Sequence, residues 1–204
     1  MTTNQIYQEY LTPQNLQQHM LRVAALAKII LDHWTGQPVD QEAIIQTCLF
    51  HDIAKPINFD LKKQTQFGLS PQEIDKLDQL QQRLKKNYGT NEHQVVVKIC
   101  QAINLKPKAV KLVDNLVWSF IPQLINQNDL ESLIPIYADM RIGPKGILPL
   151  SQRLEELETR TGKQHHHHAA TLEKLIAQHT PINLNSITDE RINSHFDELL
   201  NLLI

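Results

Sequence analysis

A chain of 204 residues, 41% of them apolar, can bury a core of its own without disulfide staples and is too hydrophobic for wholesale disorder. Its formal net charge of −2 argues against a duplex nucleic-acid partner, which calls for a basic face or a high isoelectric point, and its six glycines are few for a turn-rich β-sandwich. The local basic runs, Lys62-Lys63, Lys85-Lys86 and Lys106 to Lys111, lie in polar segments and read as solvated helix faces.

Helical periodicity runs through nearly the whole chain. Leu16, Met20, Val23, Ala27, Ile30 and Trp34 recur at steps of three and four, which predicts an amphipathic helix opened by Thr12 as N-cap and Pro13 as its first residue. A second helix is predicted from about Asp40, with Ile44, Ile45, Cys48 and Leu49 on its apolar face and Pro56 as its end. Ser70-Pro71-Gln72-Glu73 has the form of a capping box and starts a third, polar helix. Thr90 is placed as the cap of a fourth, through His93, Val96, Val97 and Cys100. Leu105 to Ile125 reads as one fifth helix, and Asp129 as the cap of a sixth, Leu130 to Met140, which Pro135 should kink or split. A turn at Gly143, Pro144 and Gly146 precedes three weaker helices: Leu150 to Arg160, a stretch after His168, and Ile187 to Leu203. No alternating strand pattern stands out, so the expected class is all-α, organised as a domain over residues 1–160 with a C-terminal helical extension over 161–204 packed on it.

Cys48 and Cys100 each sit among apolar residues at helical spacing and read as reduced core residues. The opening MTTNQIYQEY has neither the basic nor the apolar region of a signal peptide, and no apolar run approaches the ~20 residues of a membrane span. A cytoplasmic location and no membrane partner are the resulting expectations.

The chemistry concentrates in few places. His51-Asp52 lies in the run Cys48-Leu49-Phe50-His51-Asp52-Ile53-Ala54-Lys55-Pro56. An aspartate beside a histidine among apolar residues is costly unless it is paired or bound to metal. Adjacent helical side chains diverge by about 100°, so both reach one centre only at a helix edge. An imidazole nitrogen with a carboxylate oxygen suits Mn, Mg, Fe, Ni or Zn in a site with open positions. His19 belongs to the apolar stripe of the first helix, where a satisfied core histidine is the plain alternative. Asp139 is an acid inside an apolar run, with pairing to Arg141 as its plain alternative.

Taken together, a histidine on one helix, His-Asp at the end of the next and a lone aspartate on a much later helix resemble the HD-domain superfamily. His19-Met20-Leu21-Arg22-Val23 looks like its first-histidine helix, Leu49 to Lys55 like its central motif, and Tyr137-Ala138-Asp139 like its closing aspartate. The resemblance covers about residues 12 to 160. A narrower likeness joins His51 to Pro56 and Tyr88-Gly89-Thr90-Asn91-Glu92-His93 to the HD domain attached to bacterial tRNA nucleotidyltransferases, although no nucleotidyltransferase domain is present.

The resemblance implies a helical, metal-dependent phosphohydrolase with His19, His51, Asp52 and Asp139 as ligands of one divalent ion. Two-metal members add two histidines after the central motif. His93 can be the first, but none stands near Val117-Trp118-Ser119, so a single ion is expected. Lys55 and Arg22 are candidates for neutralising phosphate, and His93 for general acid or phosphate contact, with Arg141 and Lys145 as weaker candidates; a cation snorkelling at the surface is the alternative for Lys55 and Arg22. His33, His179 and His195 are expected to stay outside the site, and the run His165 to His168 reads as an exposed tract without a catalytic role. The implied substrate is a nucleotide or similar small phosphoester. Two alternatives are a non-catalytic HD module that binds a nucleotide or a protein partner for regulation, and a helical interaction protein whose His and Asp are core coincidences.

Overall fold

The structure is a computed structural model and describes residues 1–162 and 166–204. It is helical almost throughout. The first helix, α1 (Thr3–Glu9), carries its own capping box: Thr2 Oγ1 accepts from Gln5 N at 3.3 Å and Gln5 Oε1 accepts from Thr2 N at 2.8 Å. The central helix, α2 (Gln14–Asp32), buries Leu16, Met20, Val23, Ala27 and Ile30 along the expected stripe. Its cap differs from expectation. Pro13 takes the cap position, and Thr12 is buried with its hydroxyl unpartnered among the described residues.

Helix α3 (Gln41–Phe50) starts where Asp40 Oδ1 accepts from Ala43 N at 3.0 Å. It ends at Phe50, well before Pro56, and there is a local reason. The His51 ring takes the Cys48 carbonyl (Nδ1···O 2.9 Å) that the Asp52 amide would use in a longer helix. The backbone turns more tightly instead, with Ile53 N donating to Phe50 O at 3.1 Å. His51-Asp52 therefore lies on a turn rather than inside a helix. Two 3-10 segments, Lys55–Asn58 and Leu61–Phe67, lead to α4 (Pro71–Tyr88), capped by the predicted Ser70–Glu73 box. Gln81 Nε2 donates to Pro56 O and Phe59 O (2.8 and 2.7 Å), which fixes α4 on the turn after the His-Asp pair.

Helix α5 (Glu92–Ala102) is capped by Asn91, whose Oδ1 accepts from Gln94 N at 3.0 Å, and not by Thr90. The single helix expected over Leu105 to Ile125 is two: α6 (Pro107–Asp114) and α7 (Ile121–Gln127), with a 3-10 turn at Trp118–Phe120 between them. Pro122 has no amide to give and its ring crowds the carbonyl four residues back, which disfavours continuing a helix through it, and it stands instead in the first turn of α7. Helix α8 (Leu130–Arg141) does contain Pro135 and stays whole. It packs against α2, α3 and the later α10 (His166–Gln178), and those contacts outweigh one lost backbone bond. A two-residue hairpin follows, β1 (Ile142–Gly143) and β2 (Gly146–Ile147), paired antiparallel. It is too short to alter the all-α class.

Helix α9 (Leu150–Thr161) precedes α10. Of the tract His165 to His168, the first residue lies outside the described residues and the rest opens α10. The last segment predicted, Ile187 to Leu203, is α11 (Asp189–Asn193) and α12 (Phe196–Leu200), both packed on α2. Helix α2 is thus surrounded by α3, α8, α11 and α12. Its fully buried Met20, Leu26, Ile29 and Ile30 each contribute roughly 1.5–3 kcal/mol of apolar burial. Both cysteines are free and buried, as the sequence suggests, and burial pushes the Cys100 thiol up to about 12. Among the described residues no helix is long and apolar enough to cross a membrane.

Candidate metal centre

Three chain segments meet at one edge of α2. His19 comes from the middle of that helix, His51 and Asp52 from the turn after α3, and Asp139 from the last turn of α8. One ligand atom each of His19, His51 and Asp139 lies within 4.8 Å of the others. His19 Nε2 is 3.0 Å from Asp139 Oδ1 and 3.5 Å from Asp52 Oδ2. His51 Nε2 is 3.5 Å from the same Asp139 oxygen and 3.8 Å from Asp52 Oδ2. The two imidazole rings tilt together at 5.4 Å between centroids.

The second nitrogen of His51 fixes what the first can do. A carbonyl only accepts, so Nδ1 must donate to Cys48 O, and in the neutral ring Nε2 is left as a bare lone pair facing the carboxylates. Nε2 of His19 and Nε2 of His51 are both buried with no hydrogen-bond partner among the described residues. Two orphaned nitrogens beside two carboxylates are what a bound divalent cation would satisfy, and the mixed N and O donors fit one. Without a cation the site holds protons. Burial lowers the His51 pKa, but Asp52 and Asp139 outweigh it and push it up to about 9. Burial likewise raises that of Asp139, and the two imidazoles outweigh it, holding the carboxyl well below the usual carboxylate range.

Asp52 has a second partner. Lys55 Nζ reaches its Oδ2 at 2.5 Å, and this carboxylate overcomes the effect of burial to hold the Lys55 ammonium above its ordinary pKa. Arg22 lies on α2 one turn past His19. It is half-buried, and its Nε has no hydrogen-bond partner among the described residues. His93 stands apart from the three-residue group. It sits on the first turn of α5 with Nε2 2.9 Å from Asp114 Oδ1 of α6. The start of α5 is tied to the Lys55 turn, because Asn58 Nδ2 donates to Glu92 Oε2 at 2.6 Å. Asp114 carried no local signal in the sequence, since its partner is 21 residues away.

The remaining candidates fall elsewhere. Arg141 is 1% exposed and fully engaged: Nε donates to Leu148 O, Nη1 to the Tyr137 hydroxyl and Nη2 to Leu184 O, with Glu173 3.6 Å away. It is a structural cation, and Asp139 is not its partner. Lys145 is exposed at the hairpin turn. His33 bonds the Ile29 carbonyl, His179 stacks near Trp34 at 5.2 Å, and His195 lies 3.7 Å from Glu198, so none belongs to the group.

A family model described as HD domain matches residues 16–119, about half of the chain. No curated protein and no solved structure matches. The matched stretch carries His19, Arg22, His51, Asp52, Lys55 and His93 and stops before Asp139, whose place at the site rests on the distances above. The chain belongs to the HD-domain family, whose members are in general metal-dependent hydrolases.

Proposed function

We propose that this protein is a metal-dependent phosphohydrolase acting on a nucleotide or a similar small phosphoester. The observation that carries the reading is the pair of buried, unpartnered Nε2 atoms of His19 and His51, turned toward the carboxylates of Asp139 and Asp52. These four residues would hold one divalent ion. Such an ion lowers the pKa of a bound water and polarises a phosphoryl oxygen.

The protein's own charges suit the substrate. Asp52 and Asp139 are offset by Lys55 and Arg22, so a dication leaves the site about two charges positive, matching a phosphate monoester dianion. Arg22, half-buried and with no carboxylate partner among the described residues, has donors free for a phosphoryl oxygen. Lys55 stands beside Asp52 and adds a second fixed positive charge. Asp139 is 40% exposed, which leaves the cluster reachable from solvent on the α8 side. His93, oriented by Asp114, supplies an imidazole for protonating the leaving oxygen.

The test is a panel of nucleotides, cyclic phosphodiesters and simple phosphoesters incubated with purified protein and Mn²⁺ or Ni²⁺. Release of phosphate or nucleoside that stops on chelation supports the reading. Tight nucleotide binding with no ester cleaved under any divalent metal would replace it with the regulatory module.

A further inference from the structure

A cavity of about 590 Å³, lined by none of the four candidate metal ligands, lies between α1, the turn into α2 and the first two turns of α4. Its volume falls in the range of small-molecule sites. Both of its near walls lead back to the cluster. Asn15 lines it and precedes His19 by four residues, so the two share one stripe of α2, separated by a rise of ~6 Å. Tyr7 also lines it, and its hydroxyl donates to the Leu49 carbonyl at 2.7 Å, two residues before His51. The far wall is fixed as well. Arg83 Nη2 donates to Glu9 O at 2.8 Å, and the Tyr10 and Tyr88 hydroxyls meet at 3.1 Å, so α4 is tied to α1.

The lining selects a chemistry. Leu69 and Leu77 offer an apolar surface, while Gln8, Gln14 and Asn15 present carboxamides that make no hydrogen bond among the described residues. The one lining carboxylate, Glu73, is spent on Ser70, accepting its amide and hydroxyl at 2.7 Å each. Free carboxamides over apolar side chains suit a flat heterocycle whose edge alternates donors and acceptors, and Lys76, which also lines the cavity, disfavours a positively charged one. A single carboxamide pairs with the adjacent acceptor and donor of adenine. We infer that this cavity binds the nucleobase and sugar of a nucleoside, placing its phosphate toward His19 and the metal cluster. The inference rests on the phosphohydrolase reading for its purpose, but the cavity does not need the metal in order to bind.

The two can therefore fail separately. The full-length protein, stripped with chelator, is titrated with adenosine, guanosine, cytidine and uridine while the side-chain amide signals are followed by NMR. At least one nucleoside is expected to shift the Gln8 and Asn15 carboxamide signals with saturation, adenosine most strongly, and to bind equally after metal is restored. Gln8→Trp, an exposed position on α1, should fill the mouth and weaken binding at least tenfold, and Asn15→Ala should weaken it in the same direction. The subsite is overturned if no nucleoside moves those signals, or if both variants bind as the parent does. Nucleoside binding without any ester hydrolysis would keep the subsite and sink the hydrolase. Hydrolysis of nucleotides without nucleoside binding here would do the reverse.

Discussion

Asp139 and Arg141 stand two residues apart in the last turn of α8, and the molecule treats their charges in opposite ways. Arg141 is sealed inside, with donors matched to two carbonyls, a hydroxyl and a carboxylate. Asp139 stays half-exposed and faces two imidazole nitrogens that no hydrogen bond satisfies. One charge is satisfied within the fold and the other is left open to a ligand. Residue type and sequence neighbourhood do not separate them, since both are ionic residues at the end of one apolar run. The difference is whether the fold itself supplies all the partners.

Replacing charged residues at and around this pair separates the two cases. Arg141→Met should destabilise the protein by roughly 3–5 kcal/mol, because Glu173 and three acceptors around it lose their cation. Chemical denaturation of metal-free protein measures this, and a loss below 1 kcal/mol would move Arg141 out of the structural class. If the proposed function holds, Lys55→Ala should lower turnover by about 10²-fold while metal content stays unchanged, since the change removes the cation beside Asp52 and none of the four proposed ligands. Parallel kinetics and elemental analysis decide it, and loss of metal together with activity would make Lys55 a support of Asp52 instead.

The site also responds to pH. In the metal-free protein His51 keeps its proton up to about pH 9, so it contributes stability that is complete below its ordinary value of 6.5 and lost as pH rises through 9. Metal must displace that proton. Apparent metal affinity should therefore rise about tenfold per pH unit from 7 toward 9 and then level off. Calorimetry in buffers of differing ionisation heat counts the proton released, and a pH-independent affinity would contradict it.

Much of this was legible in the sequence, for reasons that differ by residue. The helices were readable because apolar steps of three and four recur from Leu16 onward, and the Ser70 box because Ser, Pro and Glu stand in fixed positions. The break at Pro122 was overridden by a continuous apolar stripe through Val113 and Phe120, although the proline carried the answer. Helix α1 had its signal in Thr2 and Gln5, but seven residues are too few for periodicity to stand out. At the site, His51-Asp52 was visible as polar residues in an apolar run. The turn that lets both face one centre was not, because it depends on a ring nitrogen taking the Cys48 carbonyl. The Asp114–His93 pair and the cavity beside Asn15 arise only when α6 meets α5 and α4 meets α1.

The orphaned nitrogens of His19 and His51 are assigned here to one bound metal ion. Elemental analysis of protein purified without added metal, and again after loading and desalting, tests this assignment directly. One divalent ion per chain is expected in the parent, and none in Asp139→Ala or Asp52→Ala protein that remains helical by circular dichroism. A parent that retains no ion, or either variant that keeps a full equivalent, would contradict it.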